Sequence, residues 1–400
     1  MLVSSHHIDN FPLALAEVSK PWLASVFKVS VDDLLDFRVT APKIDRGYGS
    51  KVGFISLSWA PGVRTQGLPA TLAIKVMPEY SATADMVRQR RTFCREARFY
   101  AELAAQTPVR IPKVYAALWN DETGNAVLLL QDCSVLRRFS FFDPPRFKEL
   151  ARVIDTAARL HGHWWQRETE LVASEAVMGP THAVWTQWAS EMANSWSAWL
   201  ESPLAAFLPV EWRGLCIDIA ATAEKRMTTD WPTRNLTMCH MDFHCQNVFF
   251  DQAKISDSIV IFDWDGCHLG CGAHDIAYFL GLLPLTLRRQ VETPLLHRYH
   301  RKLLQAGVRD YDFANLKADY AFGCLFNTFL IPMQLALDLS QPQAQADAER
   351  MVVGLLQMVL DNQEGPMMWG FDRWRSAVKA FLPPGTLPLT RNHSNMRGSR

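Results

Sequence analysis

At 400 residues the chain exceeds one ordinary domain, for which roughly 100–200 residues is usual, so two lobes are expected. Its 48% apolar and 20% charged residues exclude a mainly disordered polymer. Lys+Arg and Asp+Glu are 41 each, so the basic excess of a general nucleic-acid or anionic-membrane binder is missing. Eight cysteines are scattered along the chain, and Met1–Asn10 has no Lys or Arg and no long apolar core. Reduced thiols and a cytoplasmic protein are therefore expected, with no membrane association and no obligate protein partner. The longest apolar stretches, 276–287 and 322–337, are too short for a membrane span or are broken by Pro284, Asn327, Pro332 and Gln334.

In chain order, the first forty residues read as helical and mixed, with Pro21 in a first turn ahead of Trp22, Leu23, Val26 and Phe27. Val52–Trp59 and Thr71–Met77 are strand-like and flank the turn-rich Pro61–Pro69, which predicts a hairpin. Residues 83–105 predict one amphipathic helix, with Phe93, Ala97, Tyr100, Leu103 and Ala104 on its apolar face. Strands are expected again at Pro112–Trp119 and Ala126–Leu130. Residues 1–132 thus read as a small α+β amino-terminal lobe. Residues 133–383 read as a larger, mainly helical lobe, with helices over Arg146–Arg167, Thr181–Glu201 and Val210–Thr228 and a β-like interruption at Thr237–Phe262. Residues 384–400, rich in Pro, Gly, Ser, Asn and Arg, read as a flexible tail.

The chemistry concentrates in Cys239–Phe250 and Ile259–Asp265. Two apolar runs, Val248–Phe250 and Ile259–Phe262, form a hairpin with polar groups gathered at one end. Asn247, Asp263 and Asp265 offer hard oxygen ligands of the kind Mg²⁺ prefers, and Asp242 is a separate carboxylate able to orient a hydroxyl and accept its proton. Upstream, Arg46–Gly53 is a Gly-rich turn opening into a strand, Lys75 lies in the apolar strand Ala73–Val76, and Glu96 follows 21 residues later on a charged helix. Gly-rich turn, strand Lys, helix Glu, His-x-Asp with Asn five residues on, then a strand-end Asp: this order matches the working parts of phosphoryl transfer.

With those residues in view, the chain resembles the protein-kinase-like phosphotransferases of small molecules, namely the aminoglycoside phosphotransferases, choline kinases and ecdysteroid-kinase-like proteins. It looks closest to the last. His240-Met-Asp-Phe-His-Cys-Gln-Asn247 resembles their catalytic loop, Ile261-Phe-Asp-Trp-Asp265 their metal-binding strand, and Gly270–Leu280 the segment that follows. Arg95–Tyr100 resembles the helix carrying the lysine's partner, and Ala157–His161 the helix ending in Leu-His. Met241 departs from the usual Gly, and Gln131 from a common Glu.

The resemblance implies a bilobal kinase-like α+β fold and phosphorylation of a small-molecule hydroxyl, using ATP (GTP left open by the hinge) and Mg²⁺. It implies Asp242 as catalytic base, and Asn247 and Asp263 on the metal with Asp265 as a further ligand. Lys75, fixed by Glu96, would contact the phosphates, Gly49 and Ser50 would cover them, and the backbone of Gln131, Asp132 and Cys133 would meet the base. Asp275 would hold the catalytic loop by hydrogen bonds, and His240 would brace its backbone.

Two alternatives weigh against this reading: a kinase-like binder without catalysis, and a structural zinc protein. Cys239, His240, His244, Cys245, Cys267, His268, Cys271 and His274 crowd together, but no Cys-x-x-Cys pair exists. The spacing of Trp185, Trp188, Trp196 and Trp199 suits one helix face, read as aromatic core in preference to the wall of an acceptor pocket.

Overall fold

The computed structural model describes residues 2–5, 10–42, 50–63, 67–78, 81–140, 143–254, 258–336, 342–363 and 374. The Gly-rich turn up to Gly49 and the tail over 384–400 lie outside the described residues.

The amino-terminal sheet contains β1 (Leu2–Ser5), β2 (Leu34–Thr40), β3 (Lys51–Trp59), β4 (Thr71–Val76), β5 (Val114–Trp119) and β6 (Ala126–Gln131), in spatial order β1-β5-β6-β4-β3-β2. All neighbours are antiparallel except β1, which pairs parallel with β5. The β3–β4 hairpin forms as expected, with Val52 opposite Lys75. Helix α1 (Lys20–Phe27) starts at Ser19, whose side chain accepts from Trp22 N–H, and stops at Lys28 in the left-handed conformation. The first forty residues are therefore less helical than expected. Strand β2 was hidden because, as an edge strand, only Leu34 in it is buried and no apolar alternation marks it.

The sheet buries both faces. In β6, Val127 and Leu129 join the core beneath α1, while Ala126, Leu128 and Leu130 join the core continuous with the helical lobe. Residues 83–105 are not one helix. They form α2 (Ser81–Arg90) and α3 (Thr92–Arg98), the latter running into a π-turn at Phe99–Leu103. Arg91 between them takes φ 49°. The break falls where the dense apolar face begins: Phe93, Cys94 and Ala97 are all buried under the sheet.

The second lobe is mainly helical: α4 (Phe147–His163), α5 (Glu168–Ala173), α6 (Ala183–Glu201), α7 (Val210–Met227), α8 (Ala273–Gly281), α9 (Leu285–Gln305), α10 (Phe313–Thr328) and α11 (Pro342–Asp361). Its β elements are short: β7 (Arg137–Arg138), β8 (Leu236–Cys239), β9 (Val248–Phe250), β10 (Ile259–Ile261) and β11 (His268–Cys271). The expected β9–β10 hairpin is present, and a second ribbon pairs β8 with β11. The tryptophans of α6 are core. Trp185, Trp188, Trp196 and Trp199 are buried, Trp185 donates to the Met227 carbonyl, and Trp199 donates to Gln334. All eight cysteines are free and buried. Among the described residues no helix is long and apolar enough to cross a membrane.

Candidate active site

The period of β4 aims the lysine. Leu72, Ile74 and Val76 fill the core under α1, so Lys75 points to the opposite face, where α3 carries Glu96. Lys75 Nζ donates to Glu96 Oε2 at 2.6 Å and to Asp263 Oδ1 at 2.7 Å, the latter 188 residues away and in the other lobe. Burial alone would lower the lysine's pKa, but Asp263 and Glu96 outweigh it and hold the ammonium firmly protonated. Burial pushes Glu96 up to about 7 while Lys75 opposes.

Asp263 follows β10 in the left-handed conformation, at φ 65° and ψ 65°. This kink turns the chain into the short 3-10 turn Trp264–Gly266. The Trp264 ring stacks on Phe99 at 4.2 Å and 7°, docking that turn against the element continuous with Glu96's helix. Asp265 lies in the same turn, and its pKa is driven well up by burial first and then by Asp263 and Glu96.

The loop between β8 and β9 presents Asp242. Its carboxylate is half-buried, with Oδ2 accepting from Asn247 Nδ2 at 2.7 Å and facing His244 Nε2 at 3.3 Å. Burial pushes this group up, yet His244, His240 and Asn247 overcome that and hold its pKa at about 2. Asn247 Nδ2 also donates to the Asp242 carbonyl, which leaves its Oδ1 as the atom open to a cation. His240 braces the loop: its Nε2 lies 2.6 Å from the carbonyl of Phe262, next to Asp263.

Behind the loop lies Asp275, on the first turn of α8 and fully buried. It accepts the main-chain N–H of His240 at 2.7 Å and of Met241 at 2.9 Å, and its Oδ2 is 3.1 Å from His161 Nε2. Met241 itself takes φ 73°, which explains why glycine is usual at this point of the motif. Burial would raise Asp275, but the His161 hydrogen bond and the loop amides leave its pKa lowered. Its contribution to stability is therefore present above the usual carboxylate range and lost as pH falls through that lowered value. Asp275→Ala strands these buried donors and should cost about 3–5 kcal/mol in chemical denaturation at neutral pH; a loss below about 1 kcal/mol would refute the anchoring role.

The remaining candidates are less concentrated. Ser50 is buried at the start of β3, beside the Lys51–Val76 pair. Gly49 lies outside the described residues. At the end of β6, Gln131 N–H donates to the Lys113 carbonyl, the Asp132 carboxylate caps Ser134 N–H, and the Cys133 carbonyl accepts Leu136 N–H. Part of the hinge-like backbone is thus committed within the protein. Two groups near Asp242 lacked an assigned role in sequence. His244 now has a contact, and Tyr278, whose hydroxyl is raised by burial and by the adjacent Asp242, stands one turn after Asp275 on α8. That i, i+3 spacing was the available signal. No signal linked Asp347 and Arg350 of α11 to the loop, where they act on Cys245 with Arg138.

A small sheet-bearing lobe joined to a helical lobe, with a strand lysine bridging a helix glutamate and a strand-end aspartate, defines a bilobal kinase-like α+β protein. The chain belongs to the ecdysteroid kinase-like family, whose model matches residues 46–309. No curated protein matches the sequence. Among solved structures it is similar to an ethanolamine kinase of Plasmodium vivax, with 13% identity, 83% of this chain and 85% of that one covered, and a TM-score of 0.48. It is similar to a choline/ethanolamine kinase family protein of Mesorhizobium loti, with 15% identity, 89% and 97% covered, and a TM-score of 0.44. It is also similar to the GDP complex of aminoglycoside 2'-phosphotransferase-IIIa, with 12% identity, 86% and 98% covered, and a TM-score of 0.47.

Proposed function

We propose that the protein phosphorylates a hydroxyl group of a small molecule, using ATP and Mg²⁺. The observation that carries this reading is Lys75 Nζ held between Glu96 and Asp263, across the two lobes, with Asp242 and Asn247 on the adjoining loop. Family membership supports the reaction class.

Asp242 is the base. Held ionised by His244, His240 and Asn247, it accepts the acceptor's proton as the oxygen attacks the γ-phosphorus; the bond to the β-phosphate oxygen breaks and ADP leaves. Lys75 meets the α- and β-phosphates, with Glu96 fixing its direction. The oxygens of Asp263, Asp265 and Asn247 fit a hard cation, and the repulsion that Asp263 and Glu96 impose on Asp265 is what such a cation would relieve. Mg²⁺, when bound, neutralises charge on the phosphates. Ser50 would lie over the phosphates, and the peptide groups around Asp132 would meet the base, where adenine is our reading and guanine its competitor.

The test is nucleotide turnover across a panel of hydroxylated metabolites and drugs, with ATP and GTP compared, and direct titration of each nucleotide with Mg²⁺. Acceptor-dependent ADP release that disappears in an Asp242 variant is expected. A folded protein that binds neither nucleotide would end the proposal.

A further inference from the structure

Deep in the helical lobe, apart from the Lys75–Asp263 cleft, three fully buried side chains converge. Cys239 ends β8, and His268 begins β11 directly opposite it in the antiparallel ribbon. Their side chains therefore share one face. His274 reaches the same spot from the first turn of α8. One ligand atom from each of the three lies within 4.8 Å of the others. Of the eight Cys and His residues crowded in this stretch of sequence, these are the only ones so grouped among the described residues.

The two histidines are anomalous as core residues. Neither ring nitrogen of His268 nor of His274 has a hydrogen-bond partner within bonding geometry. The Gly266 backbone is a weak hydrogen-bond partner of His268 that falls outside that geometry. The surroundings offer little else, since Trp185, Trp231, Phe322 and Phe326 pack around the two rings. Four unpartnered polar atoms in an aromatic core carry a substantial desolvation cost, which a ligand would remove. Both rings close over Gly270. A Cβ there would stand 2.8 Å from His268 Nε2 and 2.9 Å from His274 Nδ1, closer than a side chain tolerates, so only glycine lets these two nitrogens converge on one spot.

We infer that Cys239, His268 and His274 bind a zinc ion. Thiolate and imidazole are donors this borderline-soft metal takes, and three of them leave its fourth position to a small ligand. Ligand atoms around a tetrahedral zinc stand roughly 3.3–3.8 Å apart, a spacing that three side chains already within 4.8 Å reach by small rotations. The Cys239 thiol, now 3.3 Å from the Cys271 carbonyl, loses its proton as the metal enters. The ion ties the β8–β11 ribbon to α8. Cys239 directly precedes the catalytic loop and His274 directly precedes Asp275, so the metal would brace the anchor of that loop. Its role would be to brace the fold, separate from the cation expected at Asp263.

The test is elemental analysis of the full-length protein, expressed in zinc-supplemented medium and purified without chelator. About one zinc per chain is expected, absent from Cys239→Ala and His274→Gln. Stripping with a strong chelator should lower Tm by about 5 °C or more. If those variants fail to fold, cobalt loaded into the stripped wild type gives a second reading. A thiolate-to-cobalt charge-transfer band with tetrahedral d–d bands supports the site; octahedral bands without thiolate character overturn it. A folded wild type with under about a tenth of an equivalent of zinc would also overturn it, as would a full equivalent retained in folded Cys239→Ala. None of these readings depends on turnover, so the proposal can fail while the phosphotransferase reading stands, and the reverse.

Discussion

Asp242→Asn should lower kcat by about 10³-fold, a loss of about 4 kcal/mol of transition-state stabilisation, while leaving nucleotide affinity unchanged. The geometry separates the two effects. Asp242 contacts its own loop, through Asn247 and His244, and makes no contact with the lysine that would meet the phosphates. An amide keeps the shape but cannot accept the hydroxyl proton. Because the carboxylate's pKa is held at about 2, it stays ionised throughout the range in which an enzyme would be assayed. No loss of kcat/KM from its protonation is expected as pH falls from about 7 to about 5. Steady-state kinetics with nucleotide titration would check this. Near wild-type turnover by the folded variant would remove Asp242 from the mechanism.

Asp263→Ala should cost more, because it removes a metal ligand and a partner of Lys75 together. We expect Mg²⁺-dependent nucleotide affinity to fall by about 100-fold and turnover to fall to background. In the structure the lysine divides its ammonium between Glu96 and Asp263. Losing Asp263 leaves the buried Glu96 pair intact, so the fold should survive, as circular dichroism would report. Calorimetric titration with and without Mg²⁺ gives the decisive number. If the variant binds nucleotide with unchanged Mg²⁺ dependence, the cation is held elsewhere.

The site was more legible than the architecture around it. Asp242, Asn247 and Asp263 sit at fixed offsets in one short stretch, where local chain geometry alone keeps them together. Lys75 and Glu96 were legible for a different reason: a charge inside an apolar strand requires a partner. Strand β2 was missed because its edge position erases alternation, and the break at Arg91 because helical spacing continues on both sides of it. His244 and Tyr278 acquire roles only through contact with Asp242, and Arg350 approaches the loop from more than 100 residues away.

The motif pattern by itself determined the α+β class, the family resemblance and the candidate acid, amide and lysine, since short-range order and residue chemistry survive in a linear string. It also ranked the α6 tryptophans as core before pocket wall, and their burial agrees. What it could not decide was which crowded polar residues meet. Eight Cys and His residues looked equivalent as metal ligands, yet strand pairing sets Cys239 against His268, the first turn of α8 brings His274 to them, and alternation turns His240 away to Phe262. Cross-strand register and helix docking are long-range packing outcomes, fixed by burial of the whole lobe and not by spacing along the chain.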